Sequence, residues 1–184
     1  MTALYHVADR HPWGDKLLAE SAVKFYAVFD WQPMLSEMRL IKSPNEIRLM
    51  QQAGQITAFG HIKAMQVTRP NRFEYEIESE ILHEFNRHGA RFPSYNSIIA
   101  GGDNACILHY TENDQPLKDG DLVLIDAGCE FAMYAGDITR TFPVNGKFTQ
   151  PQREIYELVL KAQKRAIELL VPGNSIKLAN DEVI

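Results

Sequence analysis

No apolar run in this sequence is long enough to span a bilayer, which excludes a helical membrane protein. Positive charge is not in surplus either. Lys and Arg number 19 against 24 Asp and Glu, for a net charge of −5, and this argues against a nucleic-acid partner. The stretch from Met1 to Trp13 lacks the basic-then-apolar layout of a secretion signal. Cysteine is scarce: Cys106 and Cys129 make no disulfide framework, and their apolar, strand-like surroundings suit buried, reduced thiols. Low-complexity tracts and short repeats are also missing. A cytoplasmic location follows from these absences by default.

What is present is an ordinary globular mixture, 45% hydrophobic and 23% charged over 184 residues, enough for one domain with a sizeable core. Residues 1–40 stand apart: they hold both tryptophans, a strand-like run Phe25–Phe29 and a turn-like Trp31-Gln32-Pro33, without two-sided periodicity. The first helix starts at the capping box Ser43-Pro44-Asn45-Glu46 and ends at Arg69-Pro70. Ile47, Met50, Gly54, Ala58, Ile62 and Met65 recur on it at helical spacing and predict its buried stripe. A second helix opens near Asn71, with Glu74 three residues on, an apolar stripe of Phe73, Ile77, Ile81 and Phe85, and Gly89 as its C-terminal cap. The charged run Glu74–Glu84 reads as the solvated face of this helix. Short strands are predicted over Tyr95–Ala100 and Cys106–His109, separated by a turn at Gly101-Gly102-Asp103-Asn104. A third helix begins near Thr149 with Gln152 as capping partner. Ile155, Leu158, Val159, Ala162, Ala166, Leu169 and Leu170 form its apolar face, and Pro172-Gly173 ends it. Ser175 then caps one more helix, in which the sequence stops. The expected fold class is α+β.

The chemistry concentrates between Leu122 and Pro143, LVLIDAGCEFAMYAGDITRTFP. This reads as two strands folded on each other with one aspartate in each. A tight turn at Phe131-Ala132 pairs Glu130 with Met133 and sets Asp126 directly opposite Asp137 on one face. Carboxylates so placed repel by roughly 3 kcal/mol at an effective dielectric near 20. A divalent cation between them would turn that repulsion into a binding site. Leu122, Leu124, Asp126 and Gly128 alternate with Val123, Ile125 and Ala127, so both faces are mostly apolar, as in a strand covered on both sides. The other reading is one surface-facing Asp and one loop Asp near the turn. His109, between Leu108 and Tyr110, is on its own a core or surface histidine. Thr139 shares a strand face with Asp137, whereas Arg140 faces away as a structural ion-pair partner. Gly101-Gly102 is a plain turn and not a phosphate loop, since no Lys-Ser/Thr follows. His61, His83 and His88 lie on helices, and the last two, five apart, do not form a helical metal pair.

Four runs together resemble one family: RFPSYNSIIAGGDNACILHYTEN (Arg91–Asn113), DGDLVLIDAGCE (Asp119–Glu130), YAGDITRTFPVNGKFT (Tyr134–Thr149) and QREIYELVL (Gln152–Leu160). The chain looks like a pita-bread metallopeptidase and, within that group, resembles the Xaa-Pro aminopeptidases (aminopeptidase P). Methionine aminopeptidases share the two aspartates but not the Ile-Thr-Arg-Thr-Phe continuation. The resemblance implies a pair of divalent metals, Mn²⁺ with Co²⁺ or Zn²⁺ as substitutes, held by Asp126 and Asp137. It casts His109 as a catalytic group hydrogen-bonded to the substrate and Tyr95 as a supporting hydroxyl, where Tyr95 by itself reads equally as a core tyrosine; Thr139, on the strand face of Asp137, is placed to orient a ligating carboxylate. The implied substrates are peptides with proline in second position, and the full-length protein is expected to be a homo-oligomer.

The resembled pattern also needs a histidine and two glutamates downstream. No histidine follows His109, and Glu154, Glu157, Glu168 and Glu182, the glutamates after Asp137, match no ligand position. The expectation is a fragment truncated at both ends: 1–40 a remnant of an N-terminal domain and linker, 41–184 the first half of a pita-bread catalytic domain plus the opening of the second. By itself it is expected to be inactive, to bind metal weakly or not at all, and to expose apolar surface. Prolidase on Xaa-Pro dipeptides and a non-catalytic peptide- or protein-binding pita-bread module are the competing readings. The retained aspartates and histidine count against the module and against metal-free creatine-type hydrolysis.

Overall fold

The computed structural model describes residues 30–183. The chain divides into two units, Met1–Ile47 and Arg48–Ile184. In the first, α1 (Gln32–Leu40) starts where a turn was expected. Pro33 sits in its first turn, where a missing N–H costs nothing, and Asp30 Oδ1 accepts from Gln32 N–H at 2.9 Å. The strand expected at Phe25–Phe29 lies outside the described residues.

The expected capping box opens α2 (Pro44–Val67): Ser43 N–H donates to Glu46 Oε2 at 2.6 Å, and Glu46 N–H to Ser43 Oγ at 3.3 Å. Its buried face differs from expectation. Ala53, Ile56, Thr57, Gly60, His61 and Ala64 are inside, while Ile47, Met50, Ile62 and Met65 are exposed. Small side chains were selected because the helix comes close to its neighbours: a Cβ on Gly60 would lie 2.6 Å from the Phe85 ring. Helix α3 (Glu74–Arg87) buries Ile77, Ile81 and Phe85 as expected. Its cap is shifted, with Phe73 at the N-cap and Glu76 accepting from Phe73 N–H at 2.7 Å.

Six short strands follow: β1 (Phe92–Pro93), β2 (Ile98–Gly101), β3 (Leu122–Ala127), β4 (Cys129–Phe131), β5 (Tyr134–Ala135) and β6 (Ile138–Pro143). They form two antiparallel sheets, ordered β2-β3-β6 and β1-β4-β5. The strand expected at Cys106–His109 does not form. Gly102, at φ 57°, instead turns the chain into a 3₁₀ helix over Gly102–Cys106, followed by a turn, and Cys106 is therefore exposed. One face of the larger sheet packs Ile99, Val123, Ile125 and Ala127 against Ala53, Ile56 and Ala64 of α2 and Ile77, Ile81 and Phe85 of α3. The opposite face carries a smaller cluster of Ile98, Ala100, Leu124, Ala105 and Tyr110.

Helix α4 (Gln150–Leu169) begins at the expected cap, Thr149 N–H donating to Gln152 Oε1 at 2.9 Å. Ser175 Oγ likewise accepts from Leu178 N–H at 3.1 Å to open α5 (Ile176–Asp181). The apolar face of α4 is not buried, contrary to its periodicity. Ile155, Leu158, Val159, Ile167 and Leu170 are exposed, Leu158 at 64%. A stripe of this size in water favours association. The isolated chain is expected to self-associate in light scattering, and Ile155→Lys with Leu158→Lys to shift it toward monomer. A monodisperse wild-type monomer with a sharp unfolding transition would contradict this.

Candidate metal centre

The strand pairing differs from the sequence register by two residues. Asp126 lies opposite Thr139, Glu130 opposite Ala135, and the turn falls at Ala132-Met133. Both turn residues are left-handed, at φ 50° and 71°, the geometry whose twist matches a two-residue hairpin. Neither is Gly or Asn, so the usual marker of such a turn is missing. Glu130 Oε1 steadies it by accepting from Met133 N–H at 2.6 Å. Because side chains alternate with period two, a slip of two leaves each on its original face. Asp137 therefore remains on the face of Asp126, as its diagonal neighbour instead of its direct partner.

Two glycines make this crossing possible. A Cβ on Gly128 would stand 1.8 Å from Gly136 O, and one on Gly136 would stand 2.1 Å from Thr57 Oγ1. Gly136 N–H donates to Cys129 O at 2.8 Å, so pairing continues through the break between β5 and β6. Ser94 ties both glycines together: its N–H donates to Gly128 O and its Oγ–H to Gly136 O, each at 2.9 Å. Beneath them Thr57 Oγ1 accepts from Cys129 N–H at 3.1 Å, and the Cys129 thiol donates to Ala53 O at 3.4 Å. Burial pushes that thiol pKa up, so Cys129 is protonated and inert.

Ser94 thereby delivers its neighbour Tyr95 to the aspartates. Tyr95 Oη lies 2.5 Å from Asp126 Oδ1 and 3.0 Å from Asp137 Oδ1. Burial, then the hydrogen bonds to Asp126 and Asp137, hold the phenol far above its ordinary pKa, and it remains a donor. A phenol has one proton to give, so Tyr95 serves only one of the two carboxylates at a time, and the oxygens gathered there form a donor set open to a cation. Carboxylate oxygens suit a hard divalent ion. Among the described residues no group of three or more His, Cys, Asp or Glu could hold a metal.

Thr139, exposed, is the direct cross-strand partner of Asp126. His109 is exposed on the turn after the 3₁₀ helix, at φ 56°. Its neighbour Tyr110 packs on Ile98, which pairs with Asp126, so the His109 turn lies over the face of the sheet that carries Asp126. Arg140 donates to Thr139 O at 2.7 Å and makes no ion pair among the described residues, contrary to expectation.

The sequence reading missed what fixes that turn. Glu74, expected on a solvated face, is fully buried, and Glu84 nearly so. Glu74 Oε1 accepts from Gly101 N–H at 2.8 Å and Asn104 Nδ2 at 3.0 Å. Its Oε2 accepts from Tyr110 Oη–H at 2.7 Å and Gln115 N–H at 3.0 Å. Asn113 closes the far side, accepting from Ile99 N–H at 2.9 Å and donating to Ser97 O at 2.8 Å. A carboxylate at a helix start looks like surface until the loop that folds over it is known. Burial, and then Glu74, push the Tyr110 phenol up to about 12. In Glu74→Gln the negative charge opposing ionisation is gone, so Tyr110 is expected to titrate lower, with burial still holding it above the ordinary phenol value. The ultraviolet difference titration against Tyr110→Phe reads this, and an unchanged midpoint would refute it. The same variant sets an amide donor against Gln115 N–H and is expected to lose roughly 2 kcal/mol of stability.

Residues 48–183 match the family model described as metallopeptidase family M24. The chain is 87% identical over 184 residues to the Xaa-Pro aminopeptidase of Haemophilus influenzae, covering all of this chain and 43% of the relative. Against the Xaa-Pro aminopeptidase of Escherichia coli the identity is 51% over 195 residues, covering all of this chain and 44% of the relative. Zn-substituted E. coli aminopeptidase P in complex with product superposes with a TM-score of 0.90 at 52% identity, over 97% of this chain and 43% of that one. The chain thus spans less than half the length of the relatives it matches.

Proposed function

The chain belongs to metallopeptidase family M24, and on that premise we propose that it is part of an aminopeptidase that removes the N-terminal residue from peptides with proline in second position. Its α+β architecture is part of the pita-bread domain of that family. The observation carrying this reading is the single phenol of Tyr95 set between the carboxylates of Asp126 and Asp137.

In this reading Asp126 and Asp137 hold two divalent ions in the complete domain, Mn²⁺ with Co²⁺ or Zn²⁺ as substitutes. The bound metal supplies Lewis acidity toward a peptide carbonyl. Tyr95, donating to Asp126, turns that carboxylate so that its remaining lone pairs face the centre. Thr139 confines the same carboxylate from across the strand pair. His109 hydrogen-bonds the peptide as its carbonyl becomes tetrahedral. The protein works in the cytoplasm, and its full-length form is a homo-oligomer.

Peptide length is the discriminating test. The full-length protein with Mn²⁺ is expected to cleave Ala-Pro-Xaa peptides in preference to Ala-Pro. Preference for the dipeptide would make it a prolidase, and cleavage of neither would favour a binding module.

A further inference from the structure

His61 is absent from the scheme above, yet it is buried on α2 at 3% exposure, directly behind the centre. Its Nε2 lies 3.1 Å from Ala127 O. A carbonyl only accepts, so this nitrogen carries the hydrogen, and the neutral ring leaves Nδ1 bare. Nδ1 is buried without a hydrogen-bond partner, which costs free energy that the Nε2 contact must offset.

The strand register gives this contact its meaning. Ala127 and Ile138 are cross-strand partners. Ala127 follows Asp126, and Ile138 follows Asp137. Ala127 is fully buried on the helix side of the sheet, and adjacent residues on a strand point to opposite faces. The imidazole therefore holds, from the helix side, the one residue pair whose predecessors carry the two carboxylates. This pair also sits beside the Gly128–Gly136 crossing, where regular pairing is interrupted and the backbone needs external support.

We infer that His61 is a positioning residue for both carboxylates, its Nε2–H gripping the backbone at Ala127, the cross-strand partner of Ile138, so that Asp126 and Asp137 meet the Tyr95 phenol. The inference rests on the metal-ligand reading of the two aspartates. Desolvation lowers the pKa of the ring, which keeps it in the neutral form that the contact requires.

Nuclear magnetic resonance on the ¹⁵N-labelled chain tests it. Long-range nitrogen–proton correlations in the wild type are expected to show the Nε2–H tautomer of His61. In His61→Leu, which keeps the bulk but lacks a donor, the amides of Ala127, Gly128 and Ile138 are expected to exchange with solvent roughly tenfold faster, the loss of one buried hydrogen bond. Val123 and Phe142, at the far end of the same strand pair, should keep their wild-type rates. The Tyr95 hydroxyl proton, expected as a slowly exchanging downfield signal, should broaden away in His61→Leu and return in His61→Gln, whose amide N–H reaches the same carbonyl.

An Nδ1–H tautomer would overturn the inference, as would uniform acceleration along both strands or failure of His61→Gln to restore the Tyr95 signal. If His61→Leu does not fold, the tautomer and the His61→Gln spectrum still decide. No metal or substrate enters these measurements. Their failure counts against His61 alone, whereas failure of the aminopeptidase reading comes from the peptide assays.

Discussion

The 184-residue chain is expected to release no N-terminal residue from an Ala-Pro-Xaa peptide in the presence of Mn²⁺. A version extended past Ile184 to the length of its relatives is expected to do so. The physical ground is ligand number. Two carboxylates and a phenol are all that meet at the centre, and no third His, Cys, Asp or Glu joins them among the described residues. Mn²⁺ prefers a fuller shell of oxygen and imidazole ligands. In the extended protein, Asp126→Asn removes the charge that Tyr95 would share with the metal in the proposed reading. Its activity is expected to fall by well over about a hundredfold, beyond what loss of an outer hydrogen bond costs. Tyr95→Phe removes only such a bond and is expected to lose roughly 10- to 100-fold, with metal affinity falling alongside. Both are read as kcat/KM and as Mn²⁺ affinity on the same preparation. Activity in the short chain that vanishes in Asp126→Asn would mean that a second copy supplies ligands. Inactivity of both lengths would move the protein to the binding-module class.

Gly128→Ala is expected to be among the most destabilising single-methyl changes in the chain. The new Cβ would stand 1.8 Å from Gly136 O, a backbone atom with no freedom to turn aside. Relief requires the β3–β4 and β5–β6 segments to separate where Ser94 bridges the two glycine carbonyls, each at 2.9 Å. Overpacking alone costs about 1–3 kcal/mol. With the bridge lost as well, the total is expected to reach roughly 3 kcal/mol or more, a large share of the ~5–15 kcal/mol that holds a domain folded. Gly54→Ala is the matched control. It sits in the interior of α2 with nothing within 4 Å of its Cβ position. There the methyl removes unfolded-state freedom and is expected to stabilise by roughly 0.5–1 kcal/mol. Urea unfolding of the two variants should give opposite signs, and equal effects would refute the close-approach account. Because the same two glycines carry Tyr95 to the aspartates through Ser94, the packing defect and the loss of the centre should appear together.

Local chemistry determined much of this protein. Ser43 with Glu46 and Thr149 with Gln152 begin helices where their reciprocal side-chain to backbone bonds require, since these need only residues three apart. Ile77, Ile81 and Phe85 point inward as their spacing requires. Asp126 and Asp137 share a face in spite of a two-residue slip, because alternation along a strand does not depend on the partner. Everything that turns on distance between segments was decided by the tertiary structure. The helix face that packs on the sheet is the one made of Ala53, Thr57, Gly60 and Ala64, because a close approach rewards small residues over the larger Met50 and Ile62. Glu74 is buried because a loop far along the chain brings it four donors, a supply its own neighbours do not reveal. The apolar face of α4 shows the converse. Periodicity records that it is built to be covered, whereas burial depends on a partner surface, and a pattern within one helix carries no information about that surface.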